Sequence, residues 1–146
     1  MSGLAIFLAL LAGLAGSVQA AVMGRFGERV GVLEALAFAS LVQAALTATL
    51  LLAVRQSLAG YVEAARQPAW LWAGGLMGAF IVLTVTLATP RIGTAATIGL
   101  LIAGQLAMGV AIDRWGLFGF ENIAISWPRA LGIVLLGVGA VLSLHR

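Results

Sequence analysis

Every charged side chain of this protein falls outside, or at the edge of, five apolar runs, and that spacing constrains the fold more than any motif. The runs cover roughly residues 4–23, 35–54, 69–89, 92–112 and 128–144. A helix rises about 1.5 Å per residue, so about 20 mainly apolar residues are needed to cross a hydrocarbon core. The runs are continuous rather than alternating, and backbone groups in hydrocarbon must bond within their own segment, so helix is preferred to strand. The expectation is an all-α, polytopic membrane protein, one domain over residues 1–146 with five transmembrane helices. The fifth run is the shortest, and its start could lie a few residues earlier.

Composition agrees. With 62% apolar and 9% charged residues and a mean hydropathy of +1.12, five acids and eight arginines are too few to coat a soluble domain of 15.0 kDa. The pI of about 11.2 reflects arginines between apolar runs rather than a basic patch, so nucleic acid is not an expected partner. There is no cysteine, and His145 alone at the tail cannot build a metal site, so no metal or cofactor is expected. The N-terminal stretch "LAIFLALLAGLAGSVQA" ends like a signal-peptide cleavage site, but it lacks a basic n-region and reads as a retained first helix.

The connections are "GRFGERVG", "RQSLAGYVEAARQP", the tight "TPRIG" and "RWGLFGFENIAISWP". Pro68, Pro90 and Pro128 fall at run boundaries, where a missing N–H does least harm. Tyr61, Trp70, Trp72, Trp115 and Trp127 also lie near run ends, as an interfacial aromatic belt would place them; ligand stacking is the alternative, for Trp72 in particular. Among the 19 glycines, Gly74 and Gly78 stand one turn apart, Ala12 and Gly16 repeat that spacing, and Gly132, Gly137 and Gly139 thin the last run. Small residues of this kind let membrane helices approach closely.

Arginines do not assign an orientation. Arg55, Arg66, Arg114 and Arg129 fall on one side of the five-span topology, and Arg25, Arg29, Arg91 and Arg146 on the other. A chain with an odd number of spans and no bias can insert both ways, and opposed copies can then pair as an antiparallel dimer. No internal repeat is visible in the sequence, so a second half would come from another chain.

The segments "WLWAGGLMGAFIV", "ATPRIGTAATIGLLIAGQLAMGVAIDRWGLFG" and "RALGIVLLGVGAVL" together resemble the YdcZ-like five-helix half-size permeases of the drug/metabolite transporter superfamily. "VQAAVMGRFG" is similar to that family's glutamine-containing first helix, departing at Met23, where asparagine is frequent. "DRWG" departs at Arg114, where histidine commonly follows the aspartate. The resemblance implies an inner-membrane transporter of small molecules, working as a dimer of five-helix units that are opposed copies or related subunits.

Candidate site residues are those whose polarity is costly in lipid: Gln19, Glu34, Gln43, Thr84, Thr86 and Gln105, with Arg91, Asp113 and Arg114 at run boundaries. Gln105 lies deep in the fourth run beside Gly104, and its amide either lines a cavity or makes an interhelical hydrogen bond that holds the bundle. Gln19 and Gln43 divide the same way. Thr84 and Thr86 can bond their own helix carbonyls. Glu34 would be the natural coupling carboxylate if it enters the second span, although an interfacial place near a helix N-terminus also suits it. Arg91 either snorkels to water or faces a vestibule and attracts anions.

The leading functional expectation is a secondary transporter working by alternating access between two opposed halves. The second is a non-transporting membrane subunit that completes a heteromeric transporter with a related five-helix partner. An enzyme is not expected: HExxH and GxSxG are absent, and no run contains histidine.

Overall fold

The computed structural model describes residues 2–119, 121–124 and 126–144, with Ser2 and Arg129 described by their backbone alone. The tail residues His145 and Arg146 lie outside the described residues. Regular structure among these is entirely helical: α1 (Ser2–Val30), α2 (Val32–Arg55), α3 (Ala59–Arg66), α4 (Ala73–Ile92), α5 (Thr94–Trp115) and α6 (Trp127–Leu142), with 3-10 turns at Ala69–Trp72 and Leu117–Gly119. Among the described residues, four stretches, Gly3–Val30, Val32–Arg55, Ala69–Ile92 and Thr94–Trp115, are long and apolar enough to cross a membrane. Helix α6 has 16 residues and is about 24 Å long, short of a hydrocarbon core of about 30 Å.

The connections depart from the sequence expectation in three places. "GRFGERVG" is no loop, because α1 stays helical through Val30 and only Gly31 separates it from α2. Helix need not stop where the hydrocarbon does, and the charged last turns carry an Arg25–Glu28 ion pair at 2.9 Å, an i,i+3 spacing that supports helix. Likewise Pro90 lies inside the last turn of α4, and only Gly93 precedes α5. Finally, "RQSLAGYVEAARQP" contains α3, since Ala, Glu and Arg are strong helix formers even where no core demands a helix.

Gly31 and Gly93 make the same local structure. Their dihedrals, φ 103° and ψ 149° for Gly31 and φ 85° and ψ 159° for Gly93, lie in a region that is essentially reserved for glycine. In each, the glycine N–H still donates to the carbonyl four residues earlier (Gly27 at 3.0 Å, Thr89 at 2.9 Å). Its own carbonyl accepts from the N–H four residues later, Ala35 at 3.0 Å and Thr97 at 3.1 Å. One residue thus redirects the chain with its own N–H and carbonyl both bonded.

The described residues form two compact units, 21–87 and 1–20 with 88–146. Within 21–87, Phe26 of α1 meets Phe38 of α2 edge to face, with ring centroids 5.9 Å apart. Gly27 presses its bare backbone against Thr86 of α4, and Met23, Ala35, Val85 and Thr86 are buried. Within the other unit α5 packs on α6. A Cβ built on Gly99 would lie 3.3 Å from Ala140, and Ala96, Thr97, Val110 and Ala140 are buried.

Close approaches therefore occur at Gly27 and Gly99, not at the glycines that the sequence pattern singles out. Among the described residues, a Cβ on Gly16, Gly74, Gly78, Gly132, Gly137 or Gly139 would meet nothing within 4 Å. Large apolar side chains such as Leu8, Leu41, Leu76 and Trp127 are more than half exposed. The most apolar stretch of α2 contains no buried residue. Such surfaces are solvated by lipid chains, which are as apolar as leucine, so packing here rests on van der Waals fit rather than on exclusion of water.

Candidate functional site

Helix α5 carries a concavity that includes two sequence-derived candidates. An open groove of about 440 Å³ is lined by Ile102, Gln105, Leu106, Gly109, Val110, Ile112 and Asp113. These residues recur at helical spacing along one face, and Gly109 deepens the groove by lacking a side chain. Gln105 stands at the middle of the 22-residue helix and its side chain is exposed rather than packed. Asp113 lies about 12 Å further along the axis and is half-buried. The groove thus joins an apolar wall, an uncharged amide at mid-helix and a carboxylate near the helix end. That arrangement suits an amphipathic ligand, with a donor or acceptor for the amide and a positive group for the carboxylate.

The end of this helix is fixed locally. Gly116 takes the left-handed conformation (φ 59°) and donates its N–H to the Ile112 carbonyl, closing α5 after Trp115. The following segment returns, with the Ile123 N–H donating to the Asp113 carbonyl at 2.8 Å. Asp113 and Arg114 are therefore helical residues in the last turn of α5, and Arg114 is exposed.

The remaining candidates are placed as follows. Gln19 is exposed on α1, and Gln43 is exposed on α2, where its backbone carbonyl accepts a bond from the Thr47 hydroxyl at 3.0 Å. Glu34 is exposed in the first turn of α2, three residues after Gly31, and its carboxylate lies against the Gly31 α-carbon. An acid there complements the partial positive charge of the helix N-terminus. Thr84 is exposed on α4, whereas Thr86, two residues on, is buried and donates to its own helix at the Val82 carbonyl, 2.7 Å away. The Trp72 indole N–H donates to the Ala64 carbonyl at the end of α3, at 3.3 Å, so this ring ties the α3 segment to the start of α4. Arg91 is exposed in the last turn of α4.

One polar group was missed by sequence reasoning. The Thr89 hydroxyl is buried on α4 and has no hydrogen-bond partner among the described residues. The signal available was its place one residue before Pro90, where helix geometry is perturbed.

Comparison with known proteins places the chain. Residues 4–142 match a family described as "Putative inner membrane exporter, YdcZ". The chain is also 34% identical over 94 residues to the inner membrane protein YdcZ of Escherichia coli (strain K12), a match covering 63% of this chain. It spans 62% of the length of that relative. No solved structure matches.

Proposed function

Because the chain belongs to the YdcZ family and is a multi-pass protein of the inner membrane, we propose that it is a secondary exporter of small amphipathic molecules. It works as a dimer of opposed five-helix units, each a single membrane domain, by alternating access around a midplane cavity to which each copy contributes the α5 groove. The observation that carries this reading is the groove itself, which sets an exposed amide at mid-helix in line with a carboxylate. A lone glutamine turned to lipid would be costly, so the Gln105 face is one that a second copy and a water-filled path complete. The open glycine positions Gly74 and Gly78 and those on α6 support the same assembly, because no atom of the described residues lies within 4 Å of a Cβ built there. Helix α6 serves as the fifth span, its shortness met by local thinning of the bilayer and by the belt residue Trp127.

In this reading Asp113 selects cationic substrates and Gln105 meets them in the α5 groove; Gln19, Gln43, Thr84 and Trp72 are separate candidates for substrate contact, and Glu34 is the coupling carboxylate. The reaction is translocation without covalent chemistry, with no cofactor. The test is flux of a panel of amphipathic organic cations from proteoliposomes holding the purified chain. Asp113→Asn is expected to reduce cation flux about tenfold or more, the loss of roughly 1.4 kcal/mol of charge-assisted binding. Glu34→Gln should abolish gradient-driven flux while leaving exchange. Flux that appears only when a related five-helix protein is co-reconstituted would replace the exporter by the partner-subunit reading.

A further inference from the structure

We propose that the charged end of α1 is a binding site for an anionic phospholipid. Arg25 and Arg29 stand four residues apart, on one face of the helix, and with Ala21, Val22 and Phe26 they line an open groove of about 520 Å³. The groove changes character along its length. Ala21 and Val22 belong to the uncharged part of α1, which runs from Ser2 to Gly24 before the first charge. Those 23 residues span about 34 Å, a little more than a hydrocarbon core of about 30 Å, so Arg25 arrives at headgroup depth and Arg29 about 6 Å beyond it. An acyl chain fits the apolar end and a phosphate the basic end.

Glu28 does not satisfy this charge. It accepts one contact from Arg25 Nη1, at 2.9 Å, while the Arg25 side chain remains 78% exposed. A guanidinium has five N–H donors, so the ion pair orients Arg25 and leaves donors for a phosphate. Arg29 adds a second exposed guanidinium, and the cluster of Arg25, Glu28 and Arg29 stays net positive. A free phosphate would use the arginines alone, whereas a phospholipid uses the arginines and the wall formed by Ala21, Val22 and Phe26. The occupant is therefore the lipid. Its binding would weight one end of a protein whose arginines otherwise divide evenly between the two sides.

The experiment is native mass spectrometry of the full-length chain released from mixed micelles containing phosphatidylglycerol and phosphatidylcholine. Each surface arginine is worth roughly a fivefold preference for anionic lipid, so the wild type is expected to retain phosphatidylglycerol over phosphatidylcholine by about fivefold to thirtyfold. The Arg25→Gln/Arg29→Gln double variant is expected to fall to near parity. A control of equal charge change, Arg55→Gln/Arg66→Gln, should keep the wild-type preference. Val22→Gln, which leaves both arginines, should lower phosphatidylglycerol retention, and glycerol phosphate should not displace the lipid. Thermal unfolding of each variant checks that it is folded. The proposal is overturned if the folded double variant keeps the wild-type preference, if the control loses as much, or if glycerol phosphate displaces the bound lipid.

Discussion

Substituting Gly27 by alanine isolates a close interhelical packing contact in the 21–87 unit. The added Cβ would sit 2.5 Å from Thr86 Cγ2, more than 1 Å inside the optimal carbon–carbon separation of about 3.5–4.0 Å. Thr86 cannot easily yield: it is 1% exposed, and its hydroxyl is committed to the Val82 carbonyl, so rotating Cγ2 away breaks that bond. Overpacking of this kind costs about 1–3 kcal/mol, against a gain of about 1 kcal/mol for replacing glycine within a helix. The net expectation for Gly27→Ala is destabilisation by up to about 2 kcal/mol. Thr86→Ser removes Cγ2 while keeping the hydroxyl, so the double variant should recover most of that loss, giving a coupling of about 1–2 kcal/mol. Reversible unfolding in mixed micelles with increasing sodium dodecyl sulfate, followed by helical circular dichroism, measures all four corners of the cycle. Additivity within about 0.5 kcal/mol would refute the contact.

Three further outcomes follow from the same geometry. Gly31→Ala should destabilise by about 1–3 kcal/mol in that unfolding assay, because a Cβ is disfavoured at φ 103°, while the Glu34 carboxylate, at the end of an exposed flexible side chain, can move aside. Thr89→Val should stabilise by about 1 kcal/mol, since it replaces a buried hydroxyl that has no partner by a methyl of similar shape. Gly78→Leu should leave the fold of a single chain intact, because nothing lies within 4 Å of a Cβ there, yet weaken self-association as read by fluorescence energy transfer between labelled copies. Unchanged association would remove that face of α4 from the proposed dimer.

The long helices were legible because lipid imposes a length and a hydropathy that sequence displays directly. The punctuation was harder to read. Gly24 and Gly27 looked like loop residues, since glycine weakens helices in water, but both sit within α1, and at Gly27 the missing side chain serves contact with Thr86. Gly74 and Gly78 carried the familiar small-residue spacing, but that pattern states only that an approach is possible, and no atom of the described residues comes within 4 Å of a Cβ built at either. Helix α3 escaped notice because outside the hydrocarbon no hydropathy signal marks a helix, only the propensity of "AGYVEAAR". The site was half legible. Gln105 was visible as a costly amide and Asp113 as a boundary charge, but their common groove required noticing that eight residues return nearly to the same helical face. The spacing of Arg25 and Arg29 held the same kind of information at the end of α1.

The central claim is that the Gln105 face of α5 borders a water-filled path, and the chain's lack of cysteine allows a direct measurement on a clean background. A membrane-impermeant thiosulfonate is applied to Gln105→Cys and, as reference, to Met108→Cys, which lies on the same helix, is 60% exposed and is outside the groove. Only a thiolate in contact with water reacts, so the account predicts labelling at position 105 about tenfold or more faster than at position 108. Equal and negligible labelling at both positions would place Gln105 in lipid or in a dry helix contact and contradict the account.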